Sequence, residues 1–365
     1  METSSSLSSA TSEGNNTLDS VTMARNERKQ QGPWEVEVSY GGEVDLHQHL
    51  MCCEKNPGHL HFIPIDQFSV GHLPPGCQDS DLVDCVRAMA DITVRVSVKY
   101  VTEKRPDIFP GSDTPYPCYR SRGKHMMTVG TGWVSEVCKC LHQQRDSRAC
   151  NVCECQECMN SPAPKTQYAY IYITTATHVV FDDLEAAHTT CHLFFDNGSI
   201  PEACSGVVTL TGMSHVRNNI ETDQCEMRYI THDLDLADKL EKMVNRCLCL
   251  SSEVPTTHDS IRSERRKLNR LSSLWSKYIP WNKLTIVVSH PHGCSKQVSV
   301  GNYTTKDRDD CNMIKYTYTA STCPGSSGAR VLVTWKEYIA WFYTIVHSGG
   351  EGEQYRQLNF SCKGV

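Results

Sequence analysis

The segment Cys323-Pro324-Gly325-Ser326-Ser327-Gly328-Ala329 sets a serine between glycines, directly before the apolar run that begins at Arg330. A tight turn of this kind can present a hydroxyl beside two inward-turned backbone N–H groups. Glycine at 325 permits the backbone twist that this needs. Such a pair of donors stabilises a developing oxyanion by about 10²–10³ in rate per donor. Taken alone, Gly-Ser-Ser-Gly also suits an ordinary β-turn. A serine hydroxyl becomes a useful nucleophile only beside an imidazole that takes its proton and a carboxylate that orients the imidazole. The chain offers both upstream. His178 follows the strand-like run Tyr172-Ile173-Thr174 and the small-residue turn Thr175-Ala176-Thr177, and Asp233 lies in Thr231-His232-Asp233-Leu234-Asp235-Leu236.

With Gly130-Thr131-Gly132-Trp133-Val134 opening the strand before the histidine strand, four short motifs occur in one order. Together they resemble the chymotrypsin-like (trypsin-fold) serine proteases over about residues 88–365, nearest in style to HtrA-like and other intracellular trypsin-like members. The resemblance implies Ser327 as nucleophile, His178 as general acid/base and Asp233 as the orienting carboxylate. Asp235 is the alternative acid, and Asp233 is favoured because Leu236 then falls where the family's buried leucine follows. The N–H groups of Gly325 and Ser327 would form the oxyanion hole. Ser326 stands where digestive trypsins carry an aspartate, so activation through a salt bridge to a new N-terminus is not expected. Ser289-His290-Pro291-His292-Gly293 resembles the HtrA-like turn before the nucleophile-bearing barrel and is read as structural. Val346-His347-Ser348-Gly349-Gly350 resembles the pocket wall of glutamyl and picornavirus-type endopeptidases. That likeness implies cleavage after Glu or Gln, with His347 and Thr322 (Ser321 being the neighbouring candidate) hydrogen-bonding the substrate side chain.

Cysteine is the unusual count, 20 in 365 residues. Cys138, Cys140, Cys150, Cys153, Cys155 and Cys158 crowd one loop before the histidine strand. Thiolates in Cys-x2-Cys pairs grip tetrahedral zinc, and a metal would staple a loop with little core of its own. Structural zinc is one reading, free thiols a second, and disulfides a third should the chain be extracellular. No cofactor is expected for catalysis. Farther upstream, His47, His49, Cys52, Cys53, His59, His61 and Cys77 are of types that could hold a small metal site, but their spacing matches no established metal-binding pattern, so residues 33–87 are read as a packed N-terminal extension.

The elements that must position these groups are mostly short strands. Ile92–Tyr100 alternates apolar and polar residues, and Val129–Val137, Tyr168–Thr174, Cys191–Asp196 and Val207–Leu210 are similar. Leu284–Ser289, Gln297–Val300, Lys315–Thr319, Arg330–Trp335 and Trp341–His347 extend the series. The fold class expected is all-β, with two six-stranded antiparallel barrels, a few helices and a disordered N-terminus. Barrel 1 would span about 88–250 and barrel 2 about 281–365. Leu236–Leu248 has helical periodicity, as does Ile261–Tyr278, a basic linker helix at about 258–280. Residues 1–32 are rich in Ser, Thr and Asn and read as a disordered arm.

A net charge of −6 disfavours a polyanion-binding role, and nucleic acid is not an expected partner. No apolar run is long enough for a membrane span, and the N-terminus has neither the basic start nor the apolar stretch of a secretory signal. An intracellular, cytoplasmic or nuclear, serine endopeptidase acting on protein or peptide substrates is the leading reading. The alternatives are an inactive relative that binds peptides in the same cleft, or a zinc-binding interaction protein. Oligomeric state is not encoded legibly.

Overall fold

The computed structural model describes residues 19–141, 152–251, 284–308, 314–333, 345–351 and 358–363. Its strands are β1 (Glu37–Ser39), β2 (Ile63–Pro64), β3 (Thr93–Val98), β4 (Met127–Cys140), β5 (Tyr168–Thr175), β6 (Thr189–Leu193), β7 (Val208–Thr211), β8 (Ser214–Asn219) and β9 (Gln224–Thr231). After helix α6 come β10 (Leu284–Ser289), β11 (Gln297–Arg308), β12 (Ile314–Tyr318), β13 (Arg330–Val333), β14 (Ile345–Glu351) and β15 (Leu358–Lys363). The helices are α1 (Ser20–Arg28), α2 (Glu43–Met51), α3 (Ser80–Ile92), α4 (Gln156–Met159), α5 (Asp183–Ala187) and α6 (Leu234–Ser251).

Two antiparallel sheets carry the chain, as the strand-rich sequence implies. The second closes on itself in the order β10-β13-β14-β15-β12-β11, because β10 also pairs β11, and β2 is added outside β11. The first runs β7-β6-β3-β4-β5-β9-β8, with β1 paired to β4. Among the described residues its ends do not meet, so it is a curved open sheet and not a sixfold ring. The chain is thus mostly β, built on two antiparallel sheets of which one closes into a six-stranded barrel, where two such barrels were expected. β3 is buried along its whole length. The amphipathic α3, with Leu82, Val86 and Met89 inward, packs on α6 and β10. Removing such faces from water at about 25 cal/mol per Å² is what binds the helices to the sheets.

Two further expectations need amendment. Within the arm expected to be disordered, Ser20–Arg28 is helical. Asp19 caps it by accepting from Thr22 N at 2.8 Å, and Ser20 donates to Asp45 on α2 at 2.7 Å. Tertiary anchoring therefore outweighs the polar composition. The expected linker helix at 258–280 lies outside the described residues. Strands β1, β2, β8, β9 and β15 add to those the sequence pattern picked out. No helix among the described residues is long and apolar enough to cross a membrane.

Candidate active site

His178 leaves the end of β5 through Thr175-Ala176-Thr177 and is wholly buried. Its backbone is pinned from behind, since Arg105 Nη1 donates to His178 O at 2.9 Å. Arg105 is itself held by a buried two-pronged pair with Glu185 at 2.7 Å on each side. Burial pulls the guanidinium toward neutrality, but Glu185 overrides this and keeps it charged. In front, both Asp223 carboxylate oxygens lie within hydrogen-bonding reach of His178 Nδ1, at 2.9 and 2.8 Å. Asp223 also accepts from His178 N at 3.1 Å, and its carbonyl accepts from Thr177 N at 3.1 Å. It occupies the β8–β9 turn with φ +52°, a left-handed conformation that aspartate tolerates better than most residues.

The carboxylate against the imidazole is thus Asp223, and the expectation of Asp233 is corrected. Asp233 is exposed and caps α6, its Oδ1 accepting from Leu236 N at 2.9 Å; Asp235 is exposed in the first turn of that helix. The leucines after Asp233 mark an amphipathic helix and not a strand of the barrel. The signal that could have found Asp223 is positional: an aspartate in a hairpin turn that reaches the end of the histidine strand.

A carboxylate at Nδ1 sets the tautomer with its proton there and leaves Nε2 as acceptor. His178 Nε2 is buried and has no hydrogen-bond partner. Ser327 Oγ is buried too and donates to Ser348 O at 3.2 Å. No hydrogen bond joins Ser327 Oγ to His178 Nε2: the expected histidine–carboxylate contact forms, with Asp223, and the expected serine–histidine contact does not. The turn that carries Ser327 is braced by Thr131, whose N–H donates to Ser327 O at 2.7 Å and whose hydroxyl donates to Gly325 O at 2.8 Å. Gly325 sits at φ +96°, and a Cβ there would lie 2.7 Å from His290 O, so no larger residue fits.

Thr322 and His347, the expected substrate contacts, face one buried carboxylate, that of Glu35. His347 Nε2 and Thr322 Oγ1 each lie 2.8 Å from Glu35 Oε2. Tyr318 hydroxyl meets His347 Nδ1 at 2.6 Å. Burial lowers the His347 pKa, so the ring is neutral near pH 7; Nδ1 then accepts from Tyr318 and Nε2–H donates to the carboxylate. Lys55 Nζ pairs with Glu35 Oε1 and donates to Asn359 Oδ1 at 2.6 Å. Burial would raise the Glu35 pKa, but Lys55 and His347 hold it down at about 2. Sequence reasoning missed Lys55, which lies some 270 positions from the rest of the pocket.

The cysteine loop resolves into one cluster. His232 Nε2 lies 3.2 Å from Cys153 Sγ, 3.7 Å from Cys155 Sγ and 3.5 Å from Cys158 Sγ. A tetrahedral zinc with Zn–S about 2.3 Å and Zn–N about 2.0 Å sets thiolate and imidazole atoms about 3.5 Å apart. The donor set fits zinc. Backbone N–H groups of Cys155, Cys158 and Lys165 point at the three sulfurs, each at 3.4 Å. Of the other expected ligands, Cys140 packs beside the cluster, Cys138 lies farther along β4, and Cys150 is outside the described residues. The fourth donor of the cluster, His232, lies in the Thr231–Leu236 segment that also holds the expected Asp233.

No family model matches the chain, and no curated protein does. Solved structures similar to it include the HtrA-type protease AlgW with a decapeptide, at 12% identity and TM-score 0.37, covering 78% of this chain and 63% of that one. They also include Rv3671c, a protease from M. tuberculosis H37Rv, in an inactive form, at 12% identity and TM-score 0.36, covering 78% of this chain and 89% of that one. The chain thus spans under two thirds of AlgW. At these identities the likeness concerns the fold alone.

Proposed function

We propose that the chain is a serine endopeptidase that cleaves after glutamate. Ser327 is the nucleophile, His178 the base and then the acid, and Asp223 the group that fixes its tautomer. Attack by Ser327 Oγ on a peptide carbonyl passes the hydroxyl proton to His178 Nε2, and the N–H groups of Gly325 and Ser327 receive the oxyanion. His178 then protonates the leaving amine. Water enters, gives its proton to His178 Nε2 and releases the acyl group, restoring the serine. The glutamate side chain of the substrate rests on Thr322, His347 and Lys55. A full positive charge at Lys55 favours Glu over Gln. Zinc held by Cys153, Cys155, Cys158 and His232 is structural, stapling the loop ahead of β5 and taking no part in the reaction.

The observation that carries this reading is the buried His178–Asp223 pair, whose Nε2 is left without a hydrogen-bond partner. The test is labelling by a fluorophosphonate probe. Ser327 should be modified, and Ser327→Ala should abolish both labelling and peptide cleavage with the fold retained. A chain that stays unlabelled with its pocket open would reject the assignment.

A further inference from the structure

Residues 33–39 pass from one sheet to the other, bridged to β14 at Trp34 and paired with β4 at Glu37–Ser39. On one side they lie antiparallel on β14: Gly350 N donates to Pro33 O at 2.8 Å, Trp34 forms a bridge with Gly349, and Glu35 N donates to Ser348 O at 3.3 Å. The fit depends on a missing side chain, since a Cβ on Gly349 would lie 2.0 Å from Pro33 O. At Glu35 the chain passes the nucleophile turn. Gly325 N, the expected oxyanion donor, donates to Glu35 O at 2.9 Å, while the Glu35 side chain fills the pocket. The Trp34 ring lies over His178, with centroids 5.1 Å apart. Beyond Glu35 the chain leaves along the other sheet, with Glu37 opposite Val129, Val38 opposite Thr128 and Ser39 opposite Met127.

Side chain, carbonyl and flanking strands of Glu35 thus all occupy the positions that a substrate cut after that residue would take. We infer that the Glu35–Val36 peptide bond is a self-cleavage site, cut within the same chain to separate residues 1–35 from 36–365. This rests on the endopeptidase reading and names its first substrate. Ser327 Oγ bonds to the Glu35 carbonyl carbon, and its proton moves to His178 Nε2. The C–N bond to Val36 breaks, with that proton passing to the new Val36 amine. Water then cleaves the Glu35–Ser327 ester, leaving a Glu35 carboxylate and a free serine. Delivery by the chain itself replaces a bimolecular encounter, so even a slow catalyst gains from it.

The test is intact-mass analysis and N-terminal sequencing of the full chain. A fragment beginning at Val36 should accumulate with a first-order rate constant independent of protein concentration. Ser327→Ala should stay whole, and Glu35→Gln should cut at least tenfold more slowly. To separate this from failure of the endopeptidase reading, Glu35→Arg, which empties the pocket, is given the peptide Pro-Trp-Glu-Val-Glu-Val. If the variant cuts the peptide after its first glutamate while the native chain stays whole, self-cleavage is overturned and the protease stands. A rate that scales with concentration overturns cleavage within the chain. If the folded variant neither cuts the peptide nor takes the fluorophosphonate, both readings fall.

A different observation carries a second inference. Cys53, His59, His292 and Cys323 bring their ligand atoms within 4.8 Å of one another. The two sulfurs are 3.5 Å apart, and Cys323 Sγ is 3.5 Å from His59 Nε2. Asn56 donates its backbone N–H to Cys53 Sγ at 3.3 Å and its amide to Cys323 Sγ at 3.2 Å. His292 Nε2 is buried without a partner, and its Nδ1 is fixed by Glu37. The geometry points to a second structural zinc site, tying the extension to the turn that carries Gly325. Cobalt(II) titration of the reduced chain should give two equivalents with thiolate-to-metal absorption, and His59→Gln or Cys53→Ser should leave one. A single equivalent in the native chain, or an unchanged count in both variants, would overturn it.

Discussion

Asp223→Asn keeps the size of the side chain and changes what it offers His178. In the native site both carboxylate oxygens face Nδ1 at 2.9 and 2.8 Å, so the ring proton stays there and Nε2 keeps its lone pair. An amide can turn its NH2 to Nδ1, which shifts the ring proton to Nε2 and removes the base. His178 is fully buried, so water cannot restore the lost contact. The expected loss is about 10⁴-fold in kcat, the scale found when a triad aspartate becomes asparagine, or about 5.5 kcal/mol of barrier. Asp233→Ala is the control. It removes a helix cap and should cost about 1 kcal/mol of stability while changing kcat by less than roughly twofold. Both variants are placed in the Glu35→Arg background, where the pocket is open, and assayed by chromatographic separation of cleaved Pro-Trp-Glu-Val-Glu-Val. Thermal melting confirms the fold. Activity of Asp223→Asn within about tenfold of its parent, or a collapse in Asp233→Ala, would refute this account of the site.

The other predictions concern the pocket, the scaffold and the metal. His347→Leu, in the same background, should lower kcat/KM for glutamate peptides by roughly 10–100-fold, the worth of a hydrogen bond to a charged group, with little change for alanine peptides; an equal loss for both would show that the histidine does not read the side chain. Arg105→Met leaves Glu185 charged and buried, so chemical denaturation should show a loss of about 3–5 kcal/mol, and a loss below about 1 kcal/mol would contradict the burial argument. Glu35 has its pKa lowered from 4.5 to about 2, so its contribution to docking is complete above pH 4.5 and is lost as pH falls toward 2. In Ser327→Ala, the protection factors of the residue 34–36 amides, referred to the intrinsic rate at each pH, should therefore fall in that acidic window, and a fall on raising the pH from 5 to 8 instead would reverse the sign. His232→Ala should remove one equivalent of zinc by elemental analysis, and an unchanged content would exclude this histidine as a ligand.

How far the sequence carried depended on whether a feature was local. The alternation in Ile92–Tyr100 and the buried run Leu284–Ser289 both became strands at nearly the boundaries read from them. His178 and Ser327 were visible because each sits in its own short motif beside a strand. Asp223 was hidden because its role comes from the folding of a hairpin, whereas Asp233 sat before leucines that imitated the family pattern. The crowding of cysteines was legible in the sequence, but the group they form with His232 was not, since His232 follows β9, more than 70 residues away. For the same reason Cys53 and His59 matched no spacing: their partners Cys323 and His292 lie more than 230 residues away along the chain. The role of residues 33–39 had no signature in the sequence, because it is defined by what the strand touches.

Lys55, Cys53 and His59 all stand C-terminal to the Glu35–Val36 bond. If that bond is cut as proposed, residues 1–35 become a separate piece while Lys55, Cys53 and His59 stay joined to Ser327. An N-terminal truncation meant to mimic the proposed cleavage product should therefore begin at Val36, because trimming back to β3 would remove Lys55 together with Glu35.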